Sequence, residues 1–396
     1  MKFKSFDGVA PDLESLRVGV VGPAAPPAGG MAAQTEQLCR LLREEGVSVY
    51  YLQTNLPYKP AWVSNLVGLR AVFRLMAYFS RLWKFLDQID VVHLMSNSGW
   101  SWHLFSAPVI WLGYWRGKPV IVNYRGGKAD QFLKKSSIWL KPTLGKASSL
   151  VVPSGFLEQV FENHGFEAMV IPNIIDTERF RPFLQPQFRP PAKDALAPAR
   201  ITDCRDDSKT WKIIVVRNLE AIYGIDTAIQ AIAALKDDGF RLHLSIAGSG
   251  PEEFKLKNLI AKLQLQDDVT LLGRLDREQV QSLYHEADIF VNASRVDNMP
   301  NSLLESMACG LAIVTTNAGG IPWMVTDEET ALMVNVDDHL GMAIAIKRLM
   351  EDDGLRGRLQ NQGLELIQQY RWDRVKQQWL RLYDEACDNM NVKAIG

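Results

Sequence analysis

The sequence predicts an α/β protein made of two doubly wound halves, each a parallel sheet flanked by helices. Three observations carry this. Short apolar runs alternate with segments of helical spacing before residue 180, and again after residue 210. A Pro-rich stretch with no apolar period separates the two series. At 396 residues the chain is also long for a single core.

The elements follow in order. Arg17–Val21 is an apolar run; GPAAPPAGG and a helical stretch from Met31 to Gly46 come next, then a second strand at Val47–Leu52. Further strands are expected at Val91–Met95, Val120–Tyr124, Leu150–Val152 and Met169–Ile171. Strands that alternate with helices are joined by crossovers, and crossovers make parallel sheets. From Phe180 to Thr210 the chain holds five prolines and reads as a linker or loop insertion. The alternation then resumes, with strands at Trp211–Val216, Arg241–Ala247, Val269–Leu272, Ile289–Asn292 and Ala312–Thr315. Asp226–Leu235, Pro251–Leu263 and Arg277–His285 are the helical stretches between them. The segment Arg371–Asn389 brings Trp372, Val375, Trp379, Leu382 and Tyr383 to one side of a helix. The expected domains are therefore 1–179, a linker at 180–210, a second domain at 211–370 and a trailing helix at 371–396. Two such halves would face a cleft, because parallel sheets present their carboxyl ends to ligand.

Composition narrows the function classes. Hydrophobic content of 47% and charged content of 22% describe a soluble globular protein. A net charge of −1, from 44 basic and 45 acidic residues, argues against wholesale nucleic-acid binding. Cys39, Cys204, Cys309 and Cys387 are scattered with no CxxC pair, as expected of reduced thiols in the cytoplasm rather than a structural zinc site. The start lacks the apolar core of a signal peptide, and no run reaches the roughly 18 apolar residues of a spanning helix.

The most informative segment is Ile289–Gly320, IFVNASRVDNMPNSLLESMACGLAIVTTNAGG. A strand ends in a polar, Pro-containing turn before a helix, with Asp297 ahead of the turn and Glu305 8 positions later. Asn298, Asn301 and Ser302 crowd the helix start, where free N–H groups and the dipole favour an anion. N–H groups for phosphate and carboxylates for hydroxyls suit a nucleotide-sugar. No HEXXH, carboxylate cluster or DXD motif is present, so neither metal nor cofactor is expected, the nucleotide-sugar being substrate. A nicotinamide enzyme is disfavoured: GPAAPPAGG lacks GxGxxG spacing, and no acid ends the second strand at Tyr50–Gln53.

Gly29 and Gly30, ahead of the first helix, let backbone approach donor phosphates or nucleophile, or simply make a tight turn. Gly248 and Gly250 in AGSGP lie at a strand-to-helix turn, as structural residues or as a close approach to the nucleotide base. The segment Trp62–Leu86 is a separate signal. As a helix it gathers Arg70, Arg74, Arg81 and Lys84 into an arc of about 80°, with no acid between them. Its remaining surface is apolar over more width than one core contact needs. It suits an interfacial helix or partner contact, or else a helix buried on two sides.

With these residues in hand, the chain resembles the retaining, GT-B-fold glycosyltransferases of family 4 over nearly its whole length except the Pro-rich insert. The matches are the GG loop, VPSGFLEQVF at Val151, IPNIIDTERF at Ile171, AGSGP at Ala247, the LGRL segment at Leu272 and ESMACGLAIVTTNAGGIP at Glu305. The resemblance implies that Glu305 holds ribose hydroxyls and that Asp297, where the family usually has Glu, contacts the donor sugar. It implies a donor-phosphate clamp of Arg and Lys; here Arg217 is present, Tyr223 stands near the Lys position, and Arg274 is a candidate substitute. Trp323 replaces an acid after the GGIP turn. A first-domain His or polar neighbour facing the transferring sugar is implied as well, with Arg125 in NYRGG and His93 in VVHLM as candidates. The expected function is retaining, metal-independent sugar transfer to a glycan or polyprenyl-linked acceptor, at or near the inner membrane face. The last helix is expected to cross back to the first domain. A GT-B-fold epimerase or phosphorylase, and a non-catalytic partner in a glycan assembly complex, stay open.

Overall fold

The computed structural model describes residues 16–25, 29–55, 69–182 and 209–395, with side chains described for 75–86 of the helix that opens at Leu69 and up to residue 388 of the last helix. The Pro-rich stretch at 183–208 and residues 62–68 of the basic, aromatic segment lie outside the described residues, as do the side chains of Arg70 and Arg74. The chain forms two compact units, one ending at Ile174 and resuming at Trp372, the other Ile175–Arg371.

In the first unit, strands β1 (Arg17–Gly22), β2 (Ser48–Gln53), β3 (Val91–Ser96), β4 (Val120–Tyr124), β5 (Ser149–Val152) and β6 (Met169–Val170) form a parallel sheet in the order β2-β1-β3-β4-β5-β6. Every residue of β3 and β4 is buried. That is the consequence of helices covering both faces of a parallel sheet, and it makes these strands near-continuous apolar runs. The exceptions, His93, Ser96 and Asn123, are therefore conspicuous.

One face packs against helices Leu69–Leu86, Ala107–Trp115 and Ala129–Leu144, through Leu82, Ile110 and Leu133 among others. The other face packs against helix Gly30–Glu44 and helix Trp372–Ile395. Val375, Trp379, Leu382 and Tyr383 of the latter join one apolar cluster with Val18, Leu38, Ile121 and Val151. Glu45 fixes this helix by accepting from Trp372 Nε1 and Lys376 Nζ, each at 2.9 Å. Gln34 bonds both the carbonyl (2.9 Å) and the N–H (3.1 Å) of Ile174, the last residue of the unit before the chain leaves it.

In the second unit, strands β7 (Trp211–Val216), β8 (Leu242–Ala247), β9 (Val269–Gly273), β10 (Ile289–Asn292), β11 (Ala312–Thr316) and β12 (Leu332–Val334) are again parallel, in the order β12-β11-β10-β7-β8-β9. Ile225–Asp237 and His339–Glu351 cover one face through Ile229 and Ile346, while Asn301–Ala308 covers the other through Leu303 and Met307. The unit opens where Ile175 bridges Arg371 and Phe180 packs edge-on to Tyr284, 5.8 Å between ring centroids. This is why 175–179, read from sequence with the first domain, lie in the second unit.

Candidate functional site

Both sheets have a point where the strand order reverses. In the second unit the chain runs β7-β8-β9 to one side and β10-β11-β12 to the other, so the crevice opens beyond β7 and β10. Arg217 is the first residue after β7, and Asp297 lies in the turn after β10. The Arg217 guanidinium donates to Asp297 Oδ2, with the two side chains 14% and 13% exposed. Asp297 also accepts from Ser294 Oγ (3.2 Å) and from the N–H of Asn298 (3.0 Å). The Arg217 guanidinium carbon stands 4.8 Å from the centroid of the Tyr223 ring, a cation–π contact at the place where the motif would offer a lysine. Arg274 is exposed.

Glu305 lies in helix Asn301–Ala308, and its Oε2 accepts from the Tyr284 hydroxyl at 2.9 Å. Desolvation pushes this carboxyl above its ordinary value; the Tyr284 bond and the charges of Arg179 and Arg217 pull it back. The helix begins after Pro300 with no side-chain cap and no acid in its first turn, so its N-terminal dipole is uncompensated. Two buried polar atoms here, Arg217 Nε and Ser302 Oγ, have no hydrogen-bond partner among the described residues. Asn301 lies on the same first turn and is partly exposed.

The glycines separate into two kinds. Gly248 has φ +152°, and a Cβ there would stand 1.8 Å from the carbonyl oxygen of Arg217. Gly319 (φ +52°) and Gly320 sit equally tight, at 2.1 and 2.0 Å from the carbonyls of Asp297 and Asn298. These glycines let neighbouring turns touch, and so hold Arg217 and Asp297 in place. Gly29 differs: it is extended, and a Cβ there would meet nothing within 4 Å. With Gly30 it opens the helix after β1, which borders the first unit's own reversal point between β1 and β3. Gly29→Ala should leave thermal stability within about 0.5 kcal/mol of wild type. If backbone there meets substrate, the same change raises KM; an unchanged KM would reduce Gly29 to a turn residue.

Arg125 follows β4 and lies at the end of a polar chain. It donates from Nε to Asn123 Oδ1 at 3.1 Å and from Nη1 to Asn173 Oδ1, and burial lowers its pKa to about 10. Asn123 Nδ2 in turn contacts His93 Nε2 at 3.0 Å, and His93 Nδ1 meets the Tyr383 hydroxyl at 2.8 Å. Because Asn123 uses its carbonyl for Arg125, its amide must donate to His93, which makes Nε2 the acceptor and puts the ring proton on Nδ1. His93 is 0% exposed, 4.6 Å from the Trp379 ring between centroids. The sequence reading that turns His93 toward a sugar is therefore corrected: the ring is interior, with both nitrogens engaged, and it positions Asn123 and through it Arg125.

Burial, with the nearby Arg125 charge second, lowers the His93 pKa from 6.5 to about 3. The unfolded chain thus takes up a proton below its ordinary value that the folded chain refuses. Stability contributed by the neutral ring is complete above that value and is lost as pH falls toward 3, at up to about 1.4 kcal/mol per unit. His93→Gln should flatten Tm against pH between about 6.5 and 4; an unaltered slope would assign the acid limb to other groups.

Sequence reasoning missed Tyr284 and Arg179. Tyr284 is fully buried on helix Arg277–Glu286 and outside every motif. Arg179 is inside IPNIIDTERF, where its charge acts on Glu305 while its guanidinium donates to the carbonyl of Arg277. Among the described residues no group of three or more His, Cys, Asp or Glu is placed to hold a metal ion, and no helix is long and apolar enough to cross a membrane.

Residues 28–179 match the model of Glycosyltransferase Family 4, and residues 203–365 that of Glycosyl transferases group 1. The chain is 26% identical over 228 residues to the phosphatidylinositol N-acetylglucosaminyltransferase gpi3 subunit of Schizosaccharomyces pombe, covering 57% of this chain and 45% of that protein. It is 28% identical over 189 residues to the N-acetyl-alpha-D-glucosaminyl L-malate synthase of Bacillus anthracis, covering 47% and 49%. These matches span about half the length of those relatives. In fold it is similar to sucrose-phosphate synthase from Thermosynechococcus elongatus, with a TM-score of 0.70 at 20% identity over 93% of this chain and 98% of that one. With both halves matched and each unit folded as a doubly wound parallel sheet, the chain belongs to the family 4 glycosyltransferases of GT-B fold.

Proposed function

We propose that the chain transfers a sugar from a nucleotide-diphosphate sugar to a glycan or lipid-linked acceptor, with retention at the anomeric carbon and without a metal ion. The observation that carries this is the Arg217–Asp297 pair at the reversal point of the second sheet, beside Glu305 and an uncapped helix start. A diphosphate there meets one guanidinium, the N-terminal turn at Asn301 and Ser302, and a buried Nε and hydroxyl that lack acceptors among the described residues. Glu305, held by Tyr284, is oriented for ribose hydroxyls. Asp297 contacts the donor sugar once phosphate competes for Arg217. Gly248 acts by holding the Arg217 backbone, and Gly29 and Gly30 give the first unit's backbone access to substrate.

Stabilising the leaving diphosphate is the largest catalytic term in this reading. The leaving phosphate takes the acceptor's proton, which leaves no need for a separate general base. Arg125, held by Asn123 and Asn173, lies on the acceptor side as an anion or hydroxyl contact. The protein works in the cytoplasm, with segment 62–86 of the sequence reading in contact with the inner membrane face.

The test is NMR of the anomeric proton in the product of each nucleotide-sugar the protein binds. Retention supports the mechanism and inversion overturns it. Release of free or epimerised sugar without acceptor would favour the epimerase or phosphorylase reading instead.

A further inference from the structure

The first unit carries an exposed aromatic surface apart from the Arg217–Asp297 pair. Trp100, Trp115, Ile138 and Trp139 are 69–81% exposed, far beyond what an isolated aromatic on a soluble surface explains. They stand on or beside helices Ala107–Trp115 and Ala129–Leu144, and Leu69–Leu86 adds exposed Met76 and Trp83. Two open grooves run past Trp115 and Trp100. One of about 410 Å³ is lined by Phe79, Trp111 and Trp115, the next of about 350 Å³ by Trp100, Lys128 and Lys135, and His103 lines both. Phe79 beside Trp115, and Lys146 beside Tyr114, bring parts of the three helices' exposed sides together.

The charge of this surface identifies the occupant. Segments 75–87, 97–118 and 128–146 hold nine of the chain's 44 Lys and Arg but two of its 45 Asp and Glu, Asp87 and Asp130, which pair with Arg116 and Lys134 and leave Lys128, Lys135 and Lys141 exposed on the same stretch. The cations are interleaved with the rings: the Arg116 guanidinium carbon is 4.4 Å from the Trp83 centroid, and Lys146 Nζ is 4.1 Å from that of Tyr114. On helix Ala129–Leu144, exposed Lys134, Lys135 and Lys141 flank Ile138 and Trp139. The core of a protein–protein interface is depleted of lysine. A headgroup layer instead takes up indole rings and lets lysine stems lie along apolar surface with their ammonium groups on lipid phosphates.

We propose that this face docks on an anionic lipid bilayer, with the tryptophans at headgroup depth and the lysines on lipid phosphate. The proposal deepens the lipid-linked acceptor reading and rests on it only for the purpose of docking.

The test is co-sedimentation of the full chain with phosphatidylcholine vesicles, with and without about 30% phosphatidylglycerol, at low and high salt. Wild type should bind the anionic vesicles only, and several-fold less at high salt. Lys134→Gln/Lys135→Gln/Lys141→Gln should lose on the order of 100-fold in partitioning, since each basic group near such a surface contributes roughly fivefold. Trp115→Ser/Ile138→Ser/Trp139→Ser should lose at least roughly tenfold. Both variants alter exposed side chains, and their melting temperatures check that they fold. Wild type that ignores anionic vesicles, or variants that bind as well as wild type, would overturn the proposal. So would wild-type self-association in sedimentation velocity that the Trp/Ile variant abolishes, which would make the face a contact between copies. Failure of the transferase reading would show as absent nucleotide binding, which this experiment does not measure.

Discussion

Arg217→Met is expected to cost about 3 kcal/mol of stability and to abolish binding of nucleotide diphosphates. The pair it breaks is shielded on both sides, with side chains 14% and 13% exposed. Removing one member strands the other's charge in a poorly solvated site, which typically costs about 3–5 kcal/mol. The lower end applies because Asp297 keeps the Ser294 hydroxyl and the Asn298 N–H. Arg217→Met/Asp297→Asn should recover most of the stability and none of the binding, since charge is then removed from both sides while the phosphate still lacks its cation. Urea denaturation of the single and double variants, with calorimetric titration of UDP, GDP and ADP, separates these effects. If the double variant is as unstable as the single one, the loss comes from packing of Arg217 on Tyr223 rather than from charge.

Glu305→Gln is expected to fold like wild type and to lose roughly 10- to 150-fold in nucleotide affinity, the range for a hydrogen bond to a charged group of about 1.5–3 kcal/mol. The amide oxygen still accepts from Tyr284, so the interior bond at 2.9 Å has a replacement. The negative charge that would draw ribose hydroxyls is gone. Thermal stabilisation of wild type and variant by UDP, GDP, ADP and their sugar conjugates reads this directly. A shift confined to one base in wild type and missing in the variant would locate the pocket and name the base. An equal shift in both would put the nucleotide elsewhere.

The architecture was legible because parallel sheets covered on both faces leave a plain signature. Val120–Tyr124, Trp211–Val216 and Ile289–Asn292 coincide with the expected strands to the residue. Leu332–Val334 escaped because three residues at a sheet edge show no period. The site was half legible. Asp297, Glu305 and Arg217 stand in motifs whose order along the chain marks them, and the fold brings them together. Tyr284 carried no such mark, since its bond to Glu305 joins residues 21 apart on separate elements. His93 was misread for a related reason. A polar residue in an apolar strand looks the same whether it faces ligand or an internal network, and its partner Tyr383 is 290 residues away. Gly248 shows the opposite difficulty. Its need is set by a backbone carbonyl at 1.8 Å across a neighbouring turn, which no spacing rule displays.

The helix Trp372–Ile395 completes an apolar cluster begun by Val18 and Val20, with all of Ile175–Arg371 lying between in the chain. On a ribosome adding about 5–20 residues per second, the first sheet waits on the order of 10–40 seconds with one face covered only by helix Gly30–Glu44. The second unit, continuous in sequence, has no such wait and can close first. Synthesis order and folding order are thereby inverted, so the early-made half is the one in need of chaperone shelter.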